Sequence, residues 1–108
     1  MSMELVWENA SPASTFAAQN ISVNIPIGAK IEIVCHVLVG YPTKCICQGI
    51  VGTDLVLSFA DGSNDTLASR ACHIGNTEIG FEAGYWKGAV QNAGIIPEKI
   101  YLVKGAYI

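Results

Sequence analysis

With 108 residues, 51% of them hydrophobic and only 14% charged, the chain is long enough to bury about two-thirds of the surface its unfolded form exposes. It carries well under the roughly 25% charge of an ordinary soluble domain. Its net charge is −3, and the basic residues Lys30, Lys44, Arg70, Lys87, Lys99 and Lys104 are scattered, which excludes the basic stripe that nucleic-acid phosphates require.

No apolar run approaches the roughly 18 residues of a membrane span, and the first residues lack a basic-plus-apolar signal sequence. A single domain over residues 1–108 is therefore expected, with no membrane association and no secretion signal of its own. So little charge on so small a body predicts that another chain covers part of the surface, and homo-oligomerisation is the expectation.

In chain order, residues 3–7 read as a short apolar strand, and Glu8-Asn9-Ala10-Ser11-Pro12 as a turn. From Thr15 the pattern alternates, with Ile21, Val23 and Ile25 on one face. Phe16 and Ala18 fall out of phase, which predicts a bulge near Gln19-Asn20. Residues 30–39 are the most strand-like run: Ile31, Ile33, Cys35, Val37 and Val39 share a face, while Glu32, Val34, His36 and Leu38 take the other. Both faces are largely apolar, so a central strand covered on two sides is expected.

After the loop at 40–43, residues 44–51 and 54–60 read as a hairpin turning at Gly52-Thr53. Pairing outward from Val51 and Asp54 places Ile46, Gln48 and Ile50 beside Leu55, Leu57 and Phe59 as a core face. The reverse side, with Cys45, Cys47, Val51 and Val56, is then the expected oligomer interface.

Residues 70–81 form the strongest hairpin signal, two alternating runs folded at Gly75-Asn76. Cys72, Ile74, Ile79 and Phe81 face the core, and His73 lies opposite Glu78 on the wetted side, flanked by Ala71 and Glu82. Arg70 breaks the pattern by falling on the apolar side, where it either snorkels to the rim or meets a carboxylate. Residues 82–94 have no clean period and read as a long ordered loop. Residues 95–108 close the chain as a strand with Ile100 and Leu102 on one face, Tyr101 and Val103 on the other, and Pro97 at its start. About seven or eight short strands, with turns roughly every 8 to 12 residues and no helical stripe, predict an all-β fold: one antiparallel β-sandwich, jelly-roll-like.

Cysteine and histidine are neighbours at Cys35-His36 and Cys72-His73. Adjacent strand residues point to opposite faces, so neither pair makes a nucleophile and its base. No catalytic residue, metal or cofactor is assigned, and a non-enzymatic chain is expected. The four cysteines, Cys35, Cys45, Cys47 and Cys72, read as reduced packing thiols, because no signal sequence sends them to an oxidising compartment. Cys45 and Cys47, two apart on one strand, make a poor disulfide pair, though either reaches Cys35 on a neighbouring strand. Their Cys-x-Cys spacing is not that of a zinc site. Asp61, Asn64 and Asp65 form a polar turn without the calcium-loop pattern. Tyr41, Tyr85 and Trp86 are aromatic residues on expected loops, a placement suited to stacking against sugar rings, and they are the candidate ligand-binding residues.

Two segments carry a likeness. The opening "LVWENASPASTFAAQNISVNI" resembles the start of small β-sandwich domains of bacteriophage tail, baseplate and fibre-associated proteins: a Trp, Asn and Ser/Pro-rich turn followed by a Phe-Ala-Ala-Gln strand start. The later "SRACHIGNTEIGFEAGYW" and "NAGIIPEKIYLVKG" are similar to the same domains, with an Arg-led strand, a short turn, an Ile-x-Phe strand and a closing Ile-Pro-x-Lys-Ile-Tyr strand. Where that family often ends on Tyr-Gly-Ile-Lys, this chain has Tyr101-Leu102-Val103-Lys104, and four cysteines are unusual for it.

The resemblance implies a virion structural protein made in the cytoplasm of a bacterial host. It implies an oligomer, a trimer among its forms, or assembly with other virion proteins, serving attachment to cell-surface glycans or proteins. A capsid decoration or head-fibre protein and a carbohydrate-binding module are the alternative expectations.

Overall fold

A computed structural model describes residues 2–38, 43–60 and 67–104. Its strands, in chain order, are β1 (Ser2–Glu8), β2 (Gln19–Ser22), β3 (Lys30–Leu38), β4 (Lys44–Ile50), β5 (Asp54–Phe59), β6 (Ala68–Ile74), β7 (Glu78–Trp86), β8 (Ala89–Val90) and β9 (Gly94–Lys104). They form two antiparallel sheets. Sheet A has the order β1-β9-β3-β4, and sheet B has the order β2-β7-β6-β5 with the short β8 added beside β7. The all-β sandwich is as expected, with the two-residue β8 bringing the strand number among the described residues to nine.

Alternation builds the interior. Ile31, Ile33, Cys35 and Val37 of β3 are buried, as are Ile100 and Leu102 of β9 and Cys72, Ile74, Ile79 and Phe81 of the β6–β7 hairpin. These sets meet in one core between the sheets. Burial of apolar area at ~25 cal/mol per Å² makes that core the main favourable term. Trp7, Phe16 and Phe81 close one part of it, with ring centroids 6.1, 6.1 and 5.4 Å apart. The Phe16–Phe81 pair meets edge to face, a geometry worth about 0.5–1.5 kcal/mol beyond area burial. Phe16 reaches the core from outside the sheet, its N–H donating to Asn92 O, so β2 pairs with β7 without the bulge that its phase implied.

The expected β4–β5 hairpin does not form: β4 pairs with β3 in sheet A and β5 with β6 in sheet B. Gly52, at φ +104°, donates its N–H to Ile74 O at 2.7 Å, and Ile74 N donates to Thr53 O. The turn therefore carries the chain from one sheet to the other. Because Cys45 pairs with the inward-facing Cys35, the inner face of β4 is Cys45 and Cys47 while Ile46 and Ile50 point out, the reverse of the expectation. On β5 the expected face, Leu55, Leu57 and Phe59, does turn inward.

The β6–β7 turn is wider than Gly75-Asn76. Ile74 pairs with Ile79 and His73 with Gly80, a slip of two residues that leaves every face unchanged. The slip arises because Asn76 O and Thr77 O accept hydrogen bonds from Ile25 and Val23, which draws those residues away from a tight reversal. Nor are residues 82–94 a loop. Strand β7 runs on to Trp86 and reverses at Lys87-Gly88, where φ is 54° and 77°, the two positive values of a type I′ hairpin. Pro97 sits inside β9 rather than at its start. A register shift opposite Val34 and Cys35 forms a bulge there, and a bulge tolerates the missing N–H. The outer face of β3, at Glu32, Val34 and His36, is half-buried rather than covered by a second layer.

Candidate functional site

Arg70 neither snorkels nor meets a carboxylate. Its side chain is completely buried, and its guanidinium donates to four backbone carbonyls. Nε reaches Ile95 O at 2.8 Å, Nη1 reaches Glu82 O at 2.7 Å, and Nη2 reaches Gly94 O at 3.1 Å and Asn92 O at 3.3 Å. The Phe16 ring lies 5.3 Å from the guanidinium carbon, within cation–π range. Burial lowers Arg70 to about 10, so it remains a cation at neutral pH. Two local oddities make room for it. A side chain at Gly84 would strike the Gly94 and Gln91 carbonyls and Arg70 Nη2, and Ile95 adopts φ +45°, which turns its carbonyl onto Nε. This nest ties β6, β7 and the start of β9 together. Its role is architectural.

The outward face of sheet B carries the polar site. His73 Nδ1 lies 2.9 Å from Asp54 Oδ1, and Nε2 lies 2.5 Å from Glu82 Oε2, so the ring bridges β5 to β7. Beside it is an open groove of about 400 Å³, lined by Asn20, Gly52, Thr53, Asp54, His73, Glu78 and Gly80. A second depression of about 550 Å³ extends past Asn20 to Glu82 and Ala83. Gly80 keeps the floor open, since a Cβ there would come within 2.9 Å of Asn20 Oδ1. The result is a shallow trough of small residues walled by amide and carboxylate oxygens, suited to hydroxyl-rich or cationic groups. With both ring nitrogens held by carboxylates, His73 works as a cationic clamp rather than as a free base.

The carboxylates raise the His73 pKa above its ordinary value, through the hydrogen bonds to Asp54 and then Glu82. A raised folded-state pKa means that this clamp stabilises the fold fully below the unfolded histidine value of about 6.5 and is lost as pH rises through the folded value. Accordingly, the difference in Tm between wild type and His73→Gln is expected to be largest near about pH 6 and to shrink as the pH is raised. A difference that stays constant across that window would rule the clamp out.

Of the expected ligand-binding residues, Tyr41 lies outside the described residues. Tyr85 and Trp86 are adjacent on β7 and therefore face opposite ways. Tyr85, 45% exposed, stands on the outer face of sheet B. Trp86 packs against the core, with Lys87 Nζ 4.8 Å from its ring centroid. The two rings form no shared platform.

Of the expected interface, Val51 is 1% exposed, because its position at the corner between the sheets turns it into the core. Cys45 and Cys47 face inward, partly buried, and only Val56 is open, at 60%. The polar turn at Asp61, Asn64 and Asp65 also lies outside the described residues.

All four thiols are free. A hydrogen bond to Cys35 pushes Cys45 up to about 11, burial pushes Cys72 up to about 12, and a hydrogen bond to Cys45 together with burial raises Cys47 further. Protonated thiols of this kind are poor nucleophiles at neutral pH. On the outer face of sheet A, Glu98 receives His36 Nε2 at 2.8 Å and Lys44 Nζ at 3.2 Å, which links β9, β3 and β4. The cysteine–histidine neighbours are split as expected, Cys35 and Cys72 inward and His36 and His73 outward. Among the described residues, no three Cys, His, Asp or Glu side chains converge on a metal position.

Residue order alone does not bring Asn20 and Asp54 to this site. Asp54 opposite His73 follows only once β5 is known to pair with β6. Compared with known proteins, the chain matches no family model, no curated protein and no solved structure.

Proposed function

We propose that the chain is a non-enzymatic structural module of a bacteriophage virion, of the tail, baseplate or fibre-associated kind, that assembles with copies of itself through the outer face of sheet A. One observation carries the assembly reading. Met3 and Leu5 of β1 and Ile46 and Ile50 of β4 all point outward on sheet A, each between 42% and 61% exposed, with Tyr101 and Val34 between them.

Large apolar side chains gathered on one face mark a surface meant to be covered. The molecule measures 40 × 26 × 22 Å, so such a face is large enough for the ~800 Å² per partner of a stable interface. The virion assignment is supported by the likeness of the two end segments to phage tail and baseplate domains. It places the more polar outer face of sheet B, with Tyr85 and the trough over Gly80, toward host glycans.

Mass spectrometry of purified particles of the phage that encodes the chain tests the assignment. The chain is expected to co-sediment with the particles in several copies. Recovery only from the soluble lysate would overturn it. In a glycan-array measurement, Tyr85→Ala is expected to abolish binding by the wild-type chain while Phe59→Leu, on the inner face, leaves it unchanged.

A further inference from the structure

Cys35 and Cys45 are direct cross-strand partners of β3 and β4, and both point into the space between the sheets. Their spacing follows from the ladder. Val37 N donates to Thr43 O and Val51 N to Ala29 O, so every second pair between them, Cys35 with Cys45 included, is a hydrogen-bonded pair. Such pairs have Cα atoms about 5.5 Å apart, inside the disulfide range. Their Cβ atoms are also about 5.5 Å apart, so the two strands must draw together by about 1 Å for the bond to close. Access differs between the two: Cys35 is fully buried and Cys45 is partly exposed. The other combinations fit less well. Cys47 faces Ile33 across the ladder, and Cys45 with Cys47 spans two positions of one extended strand, about 6.6 Å, at the edge of the range.

We propose that Cys45 and Cys35 form an oxidation site that takes a small-molecule disulfide such as oxidised glutathione and closes a bond between edge strand β4 and central strand β3. The Cys45 thiolate attacks one sulfur of the oxidant and releases one glutathione. The Cys35 thiolate then attacks the Cys45 sulfur and releases the second. Two protein thiols are oxidised, one glutathione disulfide is reduced to two glutathiones, and two protons leave the protein. Cys45 is the entry point because it is the less buried of the two, and Cys35 is the resolving thiol. The raised Cys45 pKa makes the first step slow at neutral pH and faster by about tenfold per pH unit on approaching 10. The site is independent of the assembly reading, since it depends only on the β3–β4 ladder.

The test treats the full, folded chain with excess oxidised glutathione, alkylates the remaining thiols and maps the peptides. The expected product links Cys35 to Cys45 and leaves Cys47 and Cys72 alkylated. Cys35→Ala should stop at one glutathione on Cys45. Cys45→Ser, a milder change at a partly exposed position, should give neither product while keeping the β-sheet circular dichroism of the wild type. A Cys45–Cys47 or Cys47–Cys72 linkage, or a fully reduced folded chain after treatment at about pH 9, would overturn the proposal.

Discussion

Arg70→Met is expected to destabilise the fold by about 3–5 kcal/mol, a large part of the roughly 5–15 kcal/mol that holds a domain of this size together. Methionine fills much of the same volume, so the loss is not chiefly one of packing. A buried charge can often be exchanged for an apolar residue without cost when its partner is exchanged too. That escape is closed here, because the partners are the carbonyls of Glu82, Asn92, Gly94 and Ile95. Backbone acceptors remain after any substitution. Left unpaired in the interior, each costs about 1–3 kcal/mol, less whatever relaxation and water recover.

The strained φ of Ile95 also loses the contact that holds it. Arg70→Lys keeps the charge but offers three donors from a single point to acceptors arranged around a planar fork, and a loss of about 2 kcal/mol is expected. Urea unfolding followed by far-ultraviolet circular dichroism and by tryptophan fluorescence measures both variants. A loss below about 1 kcal/mol for Arg70→Met would show that the nest is decorative.

Gly84→Ala is expected to cost about 3 kcal/mol through the same nest, approached from its other side. The added methyl would lie 2.5 Å from Gly94 O, 2.6 Å from Gln91 O and 2.7 Å from Arg70 Nη2. Two of those atoms are backbone and the third belongs to a side chain pinned by four hydrogen bonds, so none can yield cheaply. The control is Gly88→Ala in the Lys87-Gly88 turn. Its φ of +77° is unfavourable for alanine, yet nothing lies within 4 Å of the new methyl. That change should cost about 1 kcal/mol, from backbone strain alone. Equal losses for the two variants in the same urea titration would mean that close approach at Gly84 is not what the nest requires.

How much of this could be read from residue order depends on whether one face of a strand was chemically distinct. In β3, β9 and the β6–β7 hairpin the inward set is apolar and regularly spaced, and those faces are where alternation put them. Strand β4 offers Cys45 and Cys47 on one parity and Ile46 and Ile50 on the other. Both sets are apolar, so the pairing partner decides, and that partner is β3 rather than β5. The error moved the expected interface to the wrong side of the strand and buried Val51 with it.

Arg70 was conspicuous by its register, but its partners are carbonyls exposed by the turn at 91–94 and by Ile95, which no side-chain pattern announces. The second half of β7 is masked by Ala83 and Gly84, residues of low strand propensity, of which Gly84 is there for clearance over Arg70. At the site, alternation placed His73 outward, while its partner Asp54 depended on the same missed pairing.

The corrected β4 alters the functional picture in a specific way. The large apolar side chains open to a neighbour are Ile46 and Ile50 on β4 and Leu5 and Met3 on β1, on the outer side of sheet A, with Val34 and Tyr101 between them and the Gln48–Glu32 pair and Lys99 interspersed. The cysteines lie on the other side of the strand, where they pack and, on oxidation, cross-link. The proposed assembly surface and the proposed oxidation site then lie on opposite faces of one edge strand.

Sedimentation velocity of the wild-type chain beside Ile46→Glu addresses the assembly surface most directly. The wild type should sediment as a multimer at micromolar concentration, and the glutamate variant, with unchanged circular dichroism, as a monomer. A wild-type chain that sediments as a monomer at every concentration tested, or a glutamate variant as multimeric as the wild type, would contradict assembly through the outer face of sheet A.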